Sequence, residues 1–282
     1  MKRVSSFLGE VVEKTRIRLE KAKEILPVAE ARRQAYAIAD VMTDATANAS
    51  SGESSSAATR PRPFESAITA SGLSFICEVK KASPSKGIIA EDFPWLEIAR
   101  EYETGGAHAI SVLTEPDFFM GSGLYLREIA ANVQIPVLRK DFLIEPYQIY
   151  EAKIWGAKAV LLHCSLLEPA TLSSFISVAD ELSLDCLVEI HNEAEAEEAL
   201  LSGARIIGIN SRDLVTFNVD TGLVSRLRKK IPADILTVAE SGIKTADDVR
   251  KIKDAGIDAV LIGESLMRSA DKKMFLKELL SV

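Results

Sequence analysis

Residues 75–87 (FICEVKKASPSKG) combine a short apolar run with a carboxylate and an ammonium group. An apolar run that ends in Pro and Ser is typical of a buried strand that enters a loop. Alternate side chains of a strand share a face, so Glu78 and Lys80 are predicted to point in the same direction. Two charged groups at the end of a buried strand are costly unless they have a partner or a task. On this strand alone, a structural ion pair and a catalytic pair are equally good interpretations, because ion pairs also perturb pKa values.

Other apolar runs also end in side chains that could take part in acid–base chemistry. Lys140 ends one run, Glu189 lies near the end of another, and Asn210 follows a third. In a barrel of alternating strands and helices, functional groups lie at the carboxyl ends of the strands. Two Glu and two Lys side chains, spread over three strands and predicted to face one mouth, indicate catalysis more strongly than any one of them alone.

Two glycine-containing segments carry a separate signal for an anion site. Ser241-Gly242 and Gly263-Glu264 each follow an apolar run and precede a short helical pattern. Glycine lets the backbone approach a ligand closely, and free N–H groups at a helix start favour an anion. The loops after the last two strands of a (β/α)8 barrel often hold a phosphate, so we predict a phosphate site here. The alternative is that both glycines only form tight turns.

The elements that must position these residues follow a regular alternation. Continuous apolar strands that alternate with helices indicate a parallel sheet covered by helices. Eight such units in about 210 residues predict an α/β fold, a (β/α)8 TIM barrel. A doubly wound open sheet is the alternative, but it usually has fewer strands, and no G-x-G-x-x-G follows the first run. The apolar runs lie near residues 74–80, 107–113, 135–139, 157–163, 184–190, 205–209, 234–239 and 258–262. The clearest helical patterns, most with a C-terminal Gly as expected for a left-handed cap, cover residues 95–105, 146–156, 193–203 and 246–256.

The first 63 residues differ in pattern from the rest of the chain. Apolar residues at helical spacing predict an amphipathic helix over residues 5–26, which Pro27 ends, and a second helix over residues 29–42. Residues 43–63 are rich in Ala, Ser and Thr and are predicted to be a flexible linker. We therefore predict an N-terminal helical extension with its linker over residues 1–63, and a barrel domain over residues 64–282.

Composition limits the classes of function. The chain has 282 residues, 47% of them apolar, and a formal charge of -7, which argues against a general nucleic-acid surface. Because no run approaches about 18 apolar residues, no membrane span is predicted. Cys77, Cys164 and Cys186 lie in apolar runs, so we interpret them as reduced core residues of a cytoplasmic protein.

The histidines do not indicate a metal site. His108 lies at the start of a strand and is interpreted as structural, whereas His163 and His191 lie near strand ends. Three scattered histidines without a carboxylate at metal-ligand spacing do not match a zinc site. Glu195 is assigned to a solvated helix face.

Six motifs together resemble one family, indole-3-glycerol phosphate synthase. The resemblance covers about residues 64–270, and the E-x-K-x-x-S-P string is its most specific part. It implies the last ring-forming step of indole synthesis in tryptophan biosynthesis, catalysed by a carbon–carbon lyase without a metal or redox cofactor. The first helix also resembles the extra segment of that family, which packs over the barrel mouth. The motifs are FICEVKKASPSKG (75–87), VLRKDF (137–142), LVEIHN (187–192), GINSRDL (208–214), AESGI (239–243) and IGESLMR (262–268).

The resemblance implies a role for each matching residue. Lys140 would be the general acid and Glu189 the general base, while Lys80 would contact the substrate carboxylate or phosphate and could supply the acid for dehydration. Glu78 and Asn210 would orient these groups. Residues implied to bind substrate are Ser83, Phe119, Phe142, Leu161 and Arg212, and those implied to bind its phosphate are Lys80, Ser241, Gly242, Gly263 and Glu264. Two positions depart from the family pattern: many members have a small hydroxyl residue in place of Glu264, and some have an aliphatic residue in place of Phe217.

Three functions remain open at this point. The first is the ring-closing synthase, acting on a small phosphorylated substrate. The second is another enzyme on a phosphate-binding barrel, such as phosphoribosylanthranilate isomerase, and the third is a non-catalytic phosphate-binding protein. The family resemblance further implies a monomer that could associate with other enzymes of tryptophan biosynthesis.

Overall fold

The computed structural model describes residue 2 and residues 6–48, 62–69 and 72–282, with side chains of residues 41–48 excepted. Eight parallel strands close into a barrel, in which each strand pairs with its neighbours in chain order and the first also pairs with the last. This topology confirms the predicted (β/α)8 TIM barrel. The strands are β1 (Ser74–Val79), β2 (Ala109–Leu113), β3 (Val137–Lys140), β4 (Ala159–His163), β5 (Asp185–Ile190), β6 (Ile206–Asn210), β7 (Leu236–Glu240) and β8 (Ala259–Ile262).

Helices cover the outside of the barrel and extend it at the N-terminus. A two-stranded hairpin, Ala82–Ser83 with Gly87–Ile88, follows β1. The helices are α1 (Ser6–Ile25), α2 (Val28–Asn48), α3 (Pro63–Ile68), α4 (Trp95–Gly105), α5 (Pro116–Phe119), α6 (Gly123–Asn132), α7 (Pro146–Ile154), α8 (Pro169–Glu181), α9 (Glu193–Leu201), α10 (Leu223–Arg228), α11 (Ala246–Asp254), α12 (Glu264–Arg268) and α13 (Lys272–Leu280).

The four clearest helical patterns of the sequence are observed as α4, α7, α9 and α11. A glycine with φ between 74° and 103° follows closely after each of them. Only glycine adopts this left-handed conformation without a steric penalty, so it ends the helix and turns the chain into the next strand. The predicted glycine caps are therefore confirmed.

Side-chain alternation along the strands divides the core into two layers. Inward-facing residues such as Ile76, Leu138 and Leu187 fill the barrel interior. Phe64 and Ile68 of α3 belong to the same cluster and are fully buried, so this short helix packs against the interior layer. Outward-facing strand residues pack with the apolar faces of the helices in a second, larger cluster. Each fully buried Leu, Ile or Phe contributes roughly 1.5–3 kcal/mol relative to an exposed one, so both layers hold the strand ends in place.

Helix α1 is fixed to loops that follow the strands. Its buried face includes Val11 and Leu19. The Tyr147 hydroxyl of α7 donates to the carbonyls of Ala22 and Leu26, at 3.1 and 3.0 Å. Arg18 donates to the buried carboxylate of Glu115 at 3.1 Å, which in turn caps the first turn of α5. The extension is thus an integral part of the barrel mouth.

The predicted linker begins later than the sequence indicated. Residues 43–48 form the last turns of α2, so the assignment of a linker to these residues was wrong. Their alanines and threonines are compatible with a helix once the preceding turns have nucleated it. Pro63 is the first residue of α3. Residues 49–61 lie outside the described residues, and the flexible linker there stays a prediction.

Candidate active site

A cavity of about 870 Å³ opens among the loops that follow the strands. Every residue that the sequence analysis assigned to the site lines this one cavity. They are Glu78, Lys80, Ser83, Phe119, Lys140, Phe142, Leu161, Glu189, Asn210, Arg212, Ser241, Gly242, Gly263 and Glu264. Residues far apart in the chain meet here because parallel strands present their carboxyl ends at the same end of a barrel.

Two groups of buried charges form the floor of the cavity. The Lys140 Nζ lies 2.9 Å from the Glu189 Oε2 and 3.0 Å from the Glu240 Oε2. Beside them, the Lys80 ammonium pairs with the carboxylate of Glu78. All three carboxylates are buried. The structural and catalytic interpretations of Glu78 and Lys80 are therefore not exclusive, since the pair forms within the cavity.

The pKa values of Lys140, Glu189 and Glu240 are shifted in different ways by their shared surroundings. Burial opposes the charged form of Lys140, but attraction to Glu189 and then Glu240 outweighs it and raises the pKa of the ammonium. Burial likewise opposes ionisation of Glu189, but Lys140, His163 and His191 hold the pKa of that carboxyl well below its usual range. For Glu240, burial dominates and raises the pKa to about 7, with Lys140 opposing and Glu189 reinforcing the shift. Two carboxylates whose environments separate their pKa values are suited to different proton-transfer roles.

Glu240 is a central residue that the sequence analysis did not assign to the site. It precedes Ser241-Gly242, and the sequence analysis used only those two residues for the anion turn. In the barrel it is paired in register with Asn210 and faces inward two residues after Val238, which belongs to the interior cluster. The period-two alternation of β7 was the signal that could have found it.

The turns after β7 and β8, where the sequence predicts a phosphate site, have unusual backbone geometry. Ser241 and Gly242 have φ values of 63° and 79°, so two consecutive residues are left-handed. Such a conformation is costly for serine, and strain of this kind is concentrated at functional sites. A Cβ at Gly263 would overlap the Glu78 carboxylate and lie 3.0 Å from the Lys80 Nζ, so any larger residue would displace this ion pair. The glycine turns therefore bring backbone directly against the charged floor.

Basic side chains surround Glu264, the first residue of α12, at the rim of the cavity. Its carboxylate lies 3.8 Å from Arg212, 3.9 Å from Lys86 and 3.4 Å from Arg268. All three basic residues line the cavity. Lys86 and Arg268 were not assigned by sequence reasoning, because neither lies at the end of a strand. The Glu264 carboxylate balances positive charge that a bound anion would otherwise meet.

Aromatic side chains form one wall of the cavity. The rings of Phe119 and Phe142 have centroids 6.2 Å apart, and Phe142 stacks on His163 at 4.8 Å with an interplanar angle of 13°. Phe7 of α1 also lines the cavity and makes edge contacts with Phe118 and Phe217 at 5.2 and 5.6 Å. The sequence analysis placed Phe7 on an amphipathic helix but did not assign it to the site, because the docking of α1 is a tertiary feature.

Asn210 and Arg212 shape the loop after β6. The side-chain oxygen of Asn210 accepts a hydrogen bond from the backbone N–H of Arg212 at 3.0 Å. The Arg212 guanidinium donates to the carbonyl of Phe217 at 3.2 Å, and Arg212 forms an isolated bridge with Val219. These contacts fold the loop over the cavity and hold the Arg212 guanidinium at its rim, between the Phe217 carbonyl and Glu264.

Two structural features are absent from the part of the chain that the structure describes. Within these residues no group of three or more His, Cys, Asp and Glu side chains is placed to hold a metal ion. Among the described helices none is both long and apolar enough to cross a membrane.

Comparison with solved structures identifies the fold. A thiamine phosphate pyrophosphorylase from Pyrococcus furiosus is 19% identical with a TM-score of 0.56, covering 76% of this chain and 96% of that chain. A 3-hexulose-6-phosphate synthase is 17% identical with a TM-score of 0.60, covering 74% of this chain and 99% of that chain. These likenesses show the fold alone, and by fold the molecule is a (β/α)8-barrel protein.

Comparison of sequences identifies the family. The family described as "Indole-3-glycerol phosphate synthase" matches residues 13–279. A protein of that name from Lachnoclostridium phytofermentans is 46% identical over 276 residues, covering 98% of this chain and 99% of its own length. One from Ruminiclostridium cellulolyticum is 56% identical over 211 residues, covering 75% and 81%. The chain therefore belongs to the indole-3-glycerol phosphate synthase family, whose members are carboxy-lyases of tryptophan biosynthesis.

Proposed function

We propose that this cavity converts 1-(2-carboxyphenylamino)-1-deoxyribulose 5-phosphate to indole-3-glycerol phosphate, CO2 and water. The observation that supports this most directly is the position of Lys140, which is held between Glu189 and Glu240 beside the two glycine turns. An ammonium group that remains protonated at neutral pH can act as an acid toward a ketone. The turns can hold the phosphate of the same substrate.

The chemistry explains why an acid is needed first. The attacking carbon of the aromatic ring is a poor nucleophile, so the ribulose carbonyl must be made electrophilic. We assign Lys140 as the donor of a proton to that carbonyl oxygen while the new C–C bond forms. The carboxylate on the attacking carbon then leaves as CO2, and the electrons of the broken bond return to the ring. A positioned acid or base of this kind contributes about 10²–10⁴-fold to the rate.

Dehydration completes the indole ring. We assign Glu189 as the base that takes a proton from the carbon beside the nitrogen, and Lys80 as the acid that lets the new hydroxyl leave as water. Two protons are donated and one is recovered, so each turnover of the ionised substrate consumes one proton. Glu240, whose carboxylate touches the same ammonium as Glu189, is placed to return a proton to Lys140.

The remaining residues would position the substrate. We assign Ser241, Gly242, Gly263 and the backbone N–H of Glu264 to the phosphate, together with nearby Lys80. Phe119, Phe142 and Leu161 would enclose the aromatic ring. Ser83 and Arg212 would contact polar groups of the substrate, and Glu78 and Asn210 would hold Lys80 and the β6 loop in place. These assignments follow the cavity lining and the polarity of each part of its wall.

Replacing the acidic side chain at the phosphate turn tests the phosphate assignment. Glu264→Ser removes a carboxylate from the rim and releases Arg212, Lys86 and Arg268 to meet the phosphate. We expect KM to fall by about 3–10-fold with kcat nearly unchanged, since charge interactions at a helix start contribute roughly 0.3–2 kcal/mol. Glu264→Asp, which keeps the charge, is the matched control. A rise in KM for the serine variant would contradict the assignment.

A second variant tests the contribution of the N-terminal extension. Phe7→Ala removes a ring that lines the cavity and packs on Phe217. We expect KM to rise by about 5–30-fold, because a partly buried aromatic contact worth roughly 1–2 kcal/mol is lost. Ile25→Ala on the same helix is the control, because Ile25 is 87% exposed. Equal KM values for the two variants would show that α1 does not contribute to the binding of substrate.

The proposed reaction is tested by following indole fluorescence. Purified protein is incubated with 1-(2-carboxyphenylamino)-1-deoxyribulose 5-phosphate, and with phosphoribosylanthranilate in a parallel sample. With the first substrate only, we expect fluorescence of the indole product and release of one CO2 for each molecule of product. Turnover of phosphoribosylanthranilate without CO2 release would support the isomerase instead, and binding without turnover of either would support a non-catalytic protein.

We further propose that the chain acts as a monomer in the cytoplasm. Its three cysteines are free and buried, which suits a reducing compartment. Its net charge of -7 disfavours self-association. The division into an extension over residues 1–63 and a catalytic domain over residues 64–282 belongs to the same proposal, as does association with other enzymes of tryptophan biosynthesis.

A further inference from the structure

The second carboxylate oxygen of Glu189 lies between two histidines. While Oε2 contacts Lys140, Oε1 lies 3.1 Å from the Nδ1 of His163 and 3.4 Å from the Nε2 of His191. The carboxylate and His163 are buried, and the His191 side chain is 14% exposed. Neither Oε1 nor the two ring nitrogens that face it makes a hydrogen bond of good geometry to another described residue. These three atoms therefore have only one another to satisfy them within the described structure.

His191 is fixed between two carboxylates. Its backbone N–H donates to the Glu195 Oε2 at 2.8 Å, and its Nδ1 lies 3.3 Å from the same oxygen. The assignment of Glu195 to a solvated face was wrong, because its side chain turns back onto His191 and is only 13% exposed. Burial opposes a charge on His191, but Glu195 and Glu189 outweigh it and raise the pKa of the imidazole. The ring can thus donate from both nitrogens at once.

His163 approaches Glu189 from the cavity side. It is paired with Glu189 in the register of β4 and β5, so the two side chains lie side by side at the same level of the barrel. Stacking on Phe142 fixes the plane of the imidazole. Its Nε2 is also buried without a hydrogen bond to any described group, and the residue lines the cavity. His163 is therefore held by packing, with Nδ1 directed to the base.

Glu240 provides an internal comparison for the effect of these histidines. Glu189 and Glu240 are both buried, and both touch the Lys140 Nζ at nearly equal distances. They differ in that two imidazoles lie within 3.4 Å of the Glu189 Oε1, whereas the largest further electrostatic influences on Glu240 come from the carboxylates of Glu189 and Glu78. One lysine does not suffice to keep two buried carboxylates ionised, because each adds a desolvation cost. Glu189 needs the additional donors.

We propose that His163 and His191 are positioning residues that hold Glu189 as the base by donating to its Oε1, while its Oε2 stays with Lys140. This inference rests on the proposed function, in which Glu189 removes a proton from the substrate. The titratable groups around the base are Lys140 from β3, His163 from β4, Glu240 from β7 and His191 after β5. Two more groups face His191 itself: Glu195 from α9, and Asp213 from the β6 loop, whose pKa His191 helps to lower.

The test compares pH profiles of kcat from the lowest pH at which the protein stays folded, about pH 4, up to pH 9. The variants are His163→Phe, which keeps the stack on Phe142, His191→Leu, and the double variant. Loss of the N–H donors to Oε1 raises the pKa of Glu189, so the base becomes protonated at higher pH. We expect the acid limb of kcat to move upward by about one pH unit or more in the double variant. Because the pKa of wild-type Glu189 lies well below its usual range, the loss of kcat is expected at the acid end of the profile, about tenfold for each pH unit that the limb moves. Above the shifted limb kcat should recover toward neutral pH, with KM changed only a few-fold.

Two controls separate positioning from packing. His163→Gln restores an N–H donor and is expected to return the acid limb toward that of the wild type. His108→Gln removes a histidine whose Nδ1 accepts the Phe75 N–H near the start of β1, and it should leave the profile unchanged. An unmoved acid limb in a folded double variant, checked by circular dichroism and a cooperative Tm, would overturn the inference. A single variant provides the same test should the double variant fail to fold.

A direct titration keeps this test independent of turnover. The side-chain carboxyl of Glu189 is followed by 13C NMR, with its signal assigned from the spectrum of Glu189→Gln. We expect its pKa to rise in the histidine variants relative to the wild type. If the wild type forms no indole product, the proposed function fails while this titration still decides the inference. If product forms and neither the titration nor the profile moves, only the inference fails.

Discussion

Replacement of Lys140 by methionine is expected to lower kcat for indole formation by about 10²–10⁴-fold, the contribution of a positioned general acid. Methionine keeps most of the volume of the lysine stem but cannot donate a proton to the ribulose carbonyl. Binding of the phosphate should survive, because the glycine turns are untouched, and so KM should change only a few-fold. The measurement is the steady-state rate of indole fluorescence. Lys230→Met, on an exposed lysine, is the control.

The same replacement has an expected cost in stability. Removing the ammonium leaves Glu189 and Glu240 buried within reach of each other without their shared partner. Breaking a buried pair in this way costs roughly 3–5 kcal/mol. We therefore expect a lower Tm for Lys140→Met at neutral pH, and a partial recovery when Glu240→Gln is added, because one of the two unpaired charges is removed. Activity should not recover in this double variant. A Lys140→Met protein with near wild-type turnover would contradict the acid assignment.

Glu189→Gln is expected to produce the second large loss, again about 10²–10⁴-fold in kcat. The amide is nearly isosteric and can still accept a hydrogen bond from Lys140, but it cannot take the proton that must leave during dehydration. The wild-type carboxylate has a lowered pKa, so its activity is expected to be present at neutral pH and to fall only as the pH drops toward the acidic range. The glutamine variant should show no such acid limb.

Comparing Glu240→Gln with Glu189→Gln shows which of the two carboxylates is the base. Its carboxylate touches the same ammonium, but burial raises its pKa to about 7. If Glu189 is the base, Glu240→Gln should lower kcat much less than Glu189→Gln, and it should weaken the pH dependence near neutrality. Pre-steady-state measurement of product formation checks both. Equal losses in the two variants would show that the two carboxylates act as one unit, and a larger loss for Glu240→Gln would reverse the assignment.

The barrel and much of its site could be predicted from sequence because they depend on local periodicity. Strand residues alternate between two faces, so the direction of Lys140 and Glu189 follows once each apolar run is identified as a strand. Eight such runs separated by helical patterns leave few topologies. The glycine after each helix, such as Gly106 after α4, marks where a strand will begin. Such local signals placed residues from most of the strands in one cavity.

Other features depend on contacts that no local pattern contains. Glu240 is visible at the end of β7, but its pairing with Lys140 requires closure of the barrel across nonadjacent strands. The sequence pattern identifies Phe7 only as one apolar position on an amphipathic helix. The docking of α1 brings it against Phe217. His163 was judged as an isolated histidine for metal binding, so its contact with Glu189 was not considered. Each of these required side-chain geometry between distant segments.

The C-terminal end of α2 shows a limit of predictions that rest on composition. Residues 43–48 have the small polar composition of a linker, yet they continue α2. Composition reports how much apolar surface a segment can bury, whereas a helix already nucleated by its earlier turns can extend through residues that would not start one. The boundary between a helix and a linker was therefore placed too early.

The most direct test of the account is a crystal structure with indole-3-glycerol phosphate bound. We expect the phosphate to lie against the backbone N–H groups of Gly242 and Glu264. The indole ring should lie between Phe142 and Leu161. We further expect the indole carbon that carried the ketone oxygen in the substrate to lie within reach of the Lys140 ammonium. A product whose phosphate lies elsewhere, or whose ring points away from Lys140 and Glu189, would contradict the account.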